Sequence, residues 1–278
     1  RSRAPLLRVG CSATGSDVPL LPVQAARWGA VIPNRHSRRS YDSTLPAAAK
    51  LDALESVAAA FRPFPAARGA VVRSADPSLF VGIVGAYGGV SGAPAALAFI
   101  GRGAAPAEAV GYTGEALVLE ATALGLDTCW VGGLFSAGTA GPAADCSSDE
   151  RVFAVSPLGH AAPHPTVKER VLFGAGRPKH RRRLEEIASG HELWPPWARA
   201  SAEAARLAPS AMNRQPWRLA YERDALVIGF GGADSPRISK RLDCGIAMLH
   251  IEIAAVNAGI TGEWELLESP QVARFVAR

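Results

Sequence analysis

Ser210, Asn213 and Gln215 place three hydrogen-bonding side chains in one short stretch, Ala208-Pro209-Ser210-Ala211-Met212-Asn213-Arg214-Gln215-Pro216-Trp217-Arg218. Together they offer donors and acceptors that suit the carbonyl and imide edges of a planar heterocycle. The same residue types also build purely structural Asx and Ser turns, and their chemistry alone leaves both readings open. A second concentration of chemistry is Arg35-His36-Ser37-Arg38-Arg39-Ser40-Tyr41-Asp42. Guanidinium groups bind phosphate through paired, charge-assisted hydrogen bonds, although taken alone such a run reads as a solvated basic turn. A third is Lys179-His180-Arg181-Arg182-Arg183, either a local anion site or a solvated helix start.

The composition narrows what these clusters serve. The 278 residues are 48% hydrophobic and 20% charged, enough for a sizeable core, and no window approaches the ~18 apolar residues of a membrane helix. The net charge of +5 permits nucleic-acid binding, but that reading needs interleaved basic and aromatic residues, which the 179–183 run lacks. Cys11, Cys129, Cys146 and Cys244 are widely spaced and read as reduced thiols of a cytoplasmic protein. The six histidines form no His-Glu-x-x-His pattern, so no metal is expected. Residues 1–30, which begin with Arg and not Met, lack the continuous apolar core of a signal peptide.

The elements that must position the clusters follow from periodicity. Residues 50–61 have Leu51, Leu54, Val57, Ala58 and Phe61 at helical spacing after Pro46. Residues 95–100 and 152–157 are short apolar runs that predict buried strands. Residues 111–126 and 245–258 are long, almost wholly apolar stretches that predict buried helices, stopped at Gly125 and Gly259. Residues 202–207 continue a helix that Pro209 stops, and 217–221 with 225–230 predict a β-hairpin turning at 222–224. This alternation predicts an α+β or α/β organisation.

The two halves repeat. Gly111, Gly125, Leu126 and Trp130 match Gly245, Gly259, Ile260 and Trp264 without a gap, at an offset of 134 (245 − 111). Upstream, 55–60 faces 203–208 at an offset of 148 (203 − 55). Chance similarity between alanine-rich helices is the competing reading. A true repeat predicts two copies packed about a pseudo-twofold axis, a homodimer drawn with one chain.

The loop at 209–217 resembles the Pro-Ser-x-x-Asn-x-Gln-Pro-Trp signature of the nitroreductase family at every fixed position, and 35–39 resembles that family's early arginine-serine segment. The resemblance covers nearly all of the chain from about residue 33. It implies that the two motifs, normally supplied by opposite subunits, meet around one FMN. The cofactor-binding residues carried over are Arg35, His36, Ser37 and Arg39, with Pro209, Ser210, Ala211, Asn213 and Gln215. Less specific matches add Val131, Gly132 and Gly133, a glycine turn beside the flavin ring, and Lys179 and Arg181, a late basic pair at the phosphate. The chain departs from the family at Ala86-Tyr87-Gly88-Gly89, where some relatives place Lys or Asn against the flavin pyrimidine.

Each half keeps what the other lacks. The first-half counterpart of the polar loop is Phe61-Arg62-Pro63-Phe64-Pro65-Ala66-Ala67, and residues 191–199 hold no arginine-serine pattern. The expected fold is therefore α+β and nitroreductase-like, with an extension at 1–32 and pseudo-symmetric halves at 33–188 and 189–278. Each half has a small sheet flanked by helices, around long central buried helices. The resemblance implies one FMN, reduced by NADH or NADPH, that then reduces a small acceptor such as a nitroarene or quinone in a ping-pong cycle. It assigns no dedicated catalytic acid or base. The expected partners are small molecules, without nucleic acid or membrane, and a monomer suffices. Rival readings are another flavin reaction on the same scaffold (dehalogenation, oxidation of a peptide-derived ring, flavin fragmentation) or a flavin-binding module without turnover.

Overall fold

The computed structural model describes residues 20–80, 89–163, 180–234 and 238–278. Lys179, the departure at 86–88, Cys11 and residues 1–19 of the extension lie outside the described residues. After helix α1 (Pro22–Val31), the first sheet is assembled by α2 (Ala48–Ala60), β1 (Ala67–Val72), β2 (Ala95–Arg102), α3 (Ala107–Ala123), β3 (Asp127–Thr128), β4 (Val131–Gly132), α4 (Ala137–Ala143) and β5 (Glu150–Gly159). A short α5 (Leu184–Ile187) leads to α6 (Pro196–Leu207), β6 (Trp217–Glu222), β7 (Ala225–Phe230), α7 (Lys240–Asn257), β8 (Gly262–Leu266) and β9 (Gln271–Ala277).

Both sheets are antiparallel and share one topology. The first runs β1-β2-β5-β3, with β4 also pairing β5, and the second runs β6-β7-β9-β8. In each, a helix enters a pair of adjacent strands, a long helix follows, a short strand takes the edge, and the last strand closes between. The fold is α+β, as expected from the sequence. One continuous core draws side chains from both sheets and from the long helices.

The long helices begin earlier than the apolar runs suggest. α3 starts at Ala107 because Pro106 fixes the entering backbone, and α7 starts at Lys240 because the Ser239 hydroxyl accepts the Arg241 N–H at 3.1 Å. Both end alike. Gly125 and Gly259 take φ of +71° and +80°, and the next N–H closes the turn, Leu126 to the Ala121 carbonyl at 2.8 Å and Ile260 to the Ala255 carbonyl at 2.9 Å. The hairpin turn is Arg223-Asp224 alone, with φ of 51° and 61°, and Glu222, which the sequence put in the turn, pairs with Ala225 in the ladder.

α3 and α7 cross at their glycines, and the contact is reciprocal. A Cβ on Gly111 would fall 2.2 Å from the Leu242 carbonyl oxygen, and one on Gly245 would fall 2.0 Å from that of Glu108. Glu108 and Leu242 are themselves 134 positions apart (242 − 108), so the two contacts exchange under the sequence repeat. Gly at both positions lets the backbones touch.

Candidate functional site

Arg35 leaves the short helical turn after α1 in extended conformation, its N–H held by the Val31 carbonyl at 3.0 Å. The chain is then pinned along the first sheet, with Ser37 bridged to Thr128 and Arg38 donating to the Thr128 carbonyl at 2.9 Å. This alternation turns His36 and Arg38 outward, leaves Ser37 and Arg39 half-buried, and sends Arg35 inward. Arg35 is 7% exposed, and its Nε and Nη1 are buried with no hydrogen-bond partner. Burial holds its guanidinium below the ordinary arginine range, against the opposing attraction of Glu115.

Arg181 lies beside it. Its guanidinium is pushed down to about 10, first by burial and then by the positive charge of Arg35. It does not belong to a solvated helix start: Nη1 donates to the Ala208 carbonyl at 2.7 Å and to Asn213 Oδ1 at 3.4 Å. The polar loop clasps the same segment. Asn213 Nδ2 and Gln215 Nε2 both donate to the His180 carbonyl, at 2.9 and 3.0 Å, and Gln215 Oε1 accepts the Arg182 N–H at 2.8 Å. Asn213 and Gln215 thus grip the segment that presents Arg181, and Ser210 Oγ accepts the Gln215 N–H at 2.9 Å within the loop.

The loop holds a demanding backbone. Met212, Asn213 and Gln215 take φ of 51°, 53° and 45°, a region that side chains disfavour and that surrounding contacts must enforce. Asp243 on α7 supplies them: Oδ1 accepts the Ala211 N–H at 3.0 Å and Oδ2 accepts Arg214 Nε at 2.6 Å. Arg214 Nη2 continues to the Ile238 carbonyl at 2.9 Å. Burial raises the Asp243 carboxyl to about 6 although Arg214 pulls the other way. Pro209 is buried at the start of the loop.

The glycine turn closes the far side. Val131 and Gly132 pair with Val155 and Ala154 of β5, Gly133 takes φ +76°, and a Cβ on Gly132 would stand 3.7 Å from Ile238. The turn is anchored through Trp130, whose ring stacks on Phe99 with centroids 4.0 Å apart and whose Nε1 donates to Glu115 Oε2 at 2.7 Å. Glu115 Oε1 meets His250 Nε2 at 2.9 Å, and His250 Nδ1 faces the Ala204 carbonyl at 3.1 Å. A nitrogen facing a carbonyl must carry hydrogen, so one further proton lies between Nε2 and Glu115. The Glu115–His250 pair, wholly buried between α3 and α7, escaped the sequence reading. Its one signal was the presence of ionisable residues inside otherwise apolar runs, Glu115 and Glu120 in the first and His250 and Glu252 in the second.

The structure therefore brings together Arg35, Arg181, Asn213 and Gln215, and links them through Arg214 and Ile238 to Gly132. His36 is exposed, with Nδ1 2.7 Å from the Asn34 carbonyl. The first-half counterpart loop is filled differently: Phe61 stacks on Tyr112 at 5.9 Å and meets Trp28 edge-on at 5.3 Å, and Phe64 meets Tyr112 edge-on at 5.4 Å. Among the described residues, no group of three or more His, Cys, Asp or Glu could hold a metal, and no helix is long and apolar enough to cross a membrane.

The family model described as "Putative TM nitroreductase" matches residues 30–255. The chain is similar to the crystal structure of a putative nitroreductase from Thermotoga maritima, with TM-score 0.59 and 20% identity over 96% of this chain and 97% of that one. That likeness shows the fold. Two further crystal structures, nitroreductases with bound FMN from Desulfitobacterium hafniense and Bacteroides fragilis, match at TM-scores of 0.41 and 0.40. Their identities are 19% and 16%, and they cover 52% and 50% of this chain and 96% and 91% of their own. No curated protein matches the chain.

Proposed function

The chain belongs to the nitroreductase family, a family of oxidoreductases, and from that premise we propose that it is an FMN-dependent oxidoreductase that holds one flavin per polypeptide. The observation that carries this reading is Arg35, a buried guanidinium with two donors unmet, beside a second half-buried guanidinium, Arg181. Two cations in a low-dielectric setting repel, and an unmet charged donor there is costly; a phosphate monoester answers both. The residues fit that group. Arg35 and Arg181 would hold the phosphate, and Ser37 and Arg39 the adjoining chain. The loop at 209–215 would hold the ring's polar edge, and Val131, Gly132 and Gly133 its face, because glycine permits close backbone approach.

When bound, FMN supplies the hydride-accepting and electron-donating chemistry, from NADH or NADPH to a nitroarene or quinone in turn. The chain's own residues position it. Asn213 and Gln215 hold the segment that carries Arg181, Asp243 fixes the loop through Ala211 and Arg214, and Glu115 anchors the glycine turn through Trp130. No residue here is given a proton-transfer role. The shared strand order and the reciprocal crossing of Gly111 and Gly245 support a fused pseudo-dimer whose two sides meet without a second chain. The free thiols Cys129, Cys146 and Cys244 suit a cytoplasmic protein.

The visible spectrum of the purified protein, with mass spectrometry of any released cofactor, tests the reading. A flavin spectrum and the FMN mass are expected, followed by rapid bleaching on mixing with NADH or NADPH and recovery with a nitroarene or quinone. Colourless protein that stays colourless after incubation with FMN rejects it. Bound flavin that no nicotinamide bleaches would leave a binding module.

A further inference from the structure

A cleft of about 570 Å³ opens beside the glycine turn, between Gly132, Gly133, Arg151 and Phe153 on one side and Ile238 and Ser239 on the other. Alternation along β5 separates two charges here. Glu150 faces away, where Arg68 Nε and Nη2 reach it at 2.8 and 2.7 Å. Arg151 shares a face with Phe153 and lies over its ring, 4.0 Å from the centroid. Among the described residues Arg151 has no carboxylate partner, and it is exposed to the cleft.

The other charge on the rim is already engaged. Asp234 accepts the Lys240 N–H at 2.5 Å and the Ser239 hydroxyl at 2.8 Å, closing the start of α7. Ala107 and Ser239 also line the cleft, so α3 and α7 both point their amino-terminal ends at it, which adds positive potential. The volume is that of a small-molecule site. A guanidinium held over an aromatic ring, with no carboxylate partner among the described residues, matches a ligand that joins a carboxylate to a planar ring.

The geometry points to a cleft that admits the electron acceptor and selects aromatic acids, with Arg151 determining that specificity. The redox role rests on the flavin reading; recognition of the acid rests on the cleft alone. Calorimetric titration of the flavin-loaded protein with 4-nitrobenzoate and with the uncharged 4-nitrobenzamide separates the two. The acid should bind at least tenfold more tightly at low salt, and the preference should shrink as ionic strength rises. In Arg151→Gln it should fall to about one, with flavin content unchanged.

Equal affinity for the two probes, or a preference that survives Arg151→Gln, overturns the proposal and leaves the flavin reading standing. An Arg151-dependent preference in a chain that takes up no flavin upholds the acid site and rejects the flavin reading. Loss of 4-nitrobenzoate binding as FMN is added would assign the cleft to the cofactor and overturn the proposal. The salt dependence of the unaltered protein tests the same charge recognition without relying on the variant, and a preference that salt leaves unchanged also overturns it.

Discussion

Replacing Arg35 by Met should move stability and cofactor binding in opposite directions. Met keeps an unbranched stem of similar length, so most packing survives, while the two unmet donors disappear. Each buried, unsatisfied donor costs about 1–3 kcal/mol, and the attraction to Glu115 offsets part of that. Glu115 is not stranded by the change, because Trp130 and His250 still meet its two oxygens. The flavin-free protein should therefore gain about 1–2 kcal/mol, a rise of a few degrees in Tm for a chain of this size. FMN binding should weaken about 10- to 150-fold, the equivalent of ~1.5–3 kcal/mol for one charge-assisted phosphate contact. Thermal unfolding of flavin-free protein and a titration of FMN fluorescence measure both. Arg35→Met protein that is less stable without flavin, or that binds FMN as tightly as before, would refute the view that Arg35 is held unpaired for an anion.

Gly245→Ala should lower stability by roughly 3 kcal/mol in chemical denaturation, because its Cβ would meet the Glu108 carbonyl at 2.0 Å; a loss under about 1 kcal/mol would mean that α3 and α7 part easily. Asp243 titrates near 6 when folded and near 4 when unfolded, so its contribution is complete below about pH 4 and is lost as pH rises through 6. The loss approaches about 3 kcal/mol, and unfolding of wild type and Asp243→Asn across this range should show it as a slope that the variant lacks. Asn213→Ala should weaken FMN binding by releasing the segment that presents Arg181, and unchanged affinity would show that Gln215 alone suffices. Reconstitution with excess FMN should reach one flavin per chain, because Phe61 and Phe64 fill the counterpart loop against Tyr112; a ratio approaching two would contradict this.

The sequence by itself determined the elements and their repetition. Apolar runs closed by Gly125 and Gly259 marked both long helices, because each of these two glycines takes the positive φ that ends a helix, whereas Gly111 and Gly245 stay helical inside them. The matched spacing of glycines and tryptophans raised the expectation of two copies, with which the shared strand order of the two sheets agrees, and the loop at 209–217 marked the family. These are local properties, written in periodicity and in turn chemistry. Only the tertiary structure decided what each polar group meets. Arg35 is buried while its neighbours His36 and Arg38 are not, because Ser37 and Arg38 are bridged to Thr128, about ninety residues further on. Asn213 and Gln215 hold the 180–182 backbone, and Glu115 shares a proton with His250, 135 positions away. No period or spacing encodes such pairs. The Glu115–His250 pair exists because α3 and α7 cross where glycine lets their backbones touch, and burial leaves each charge only the partners that the packing supplies.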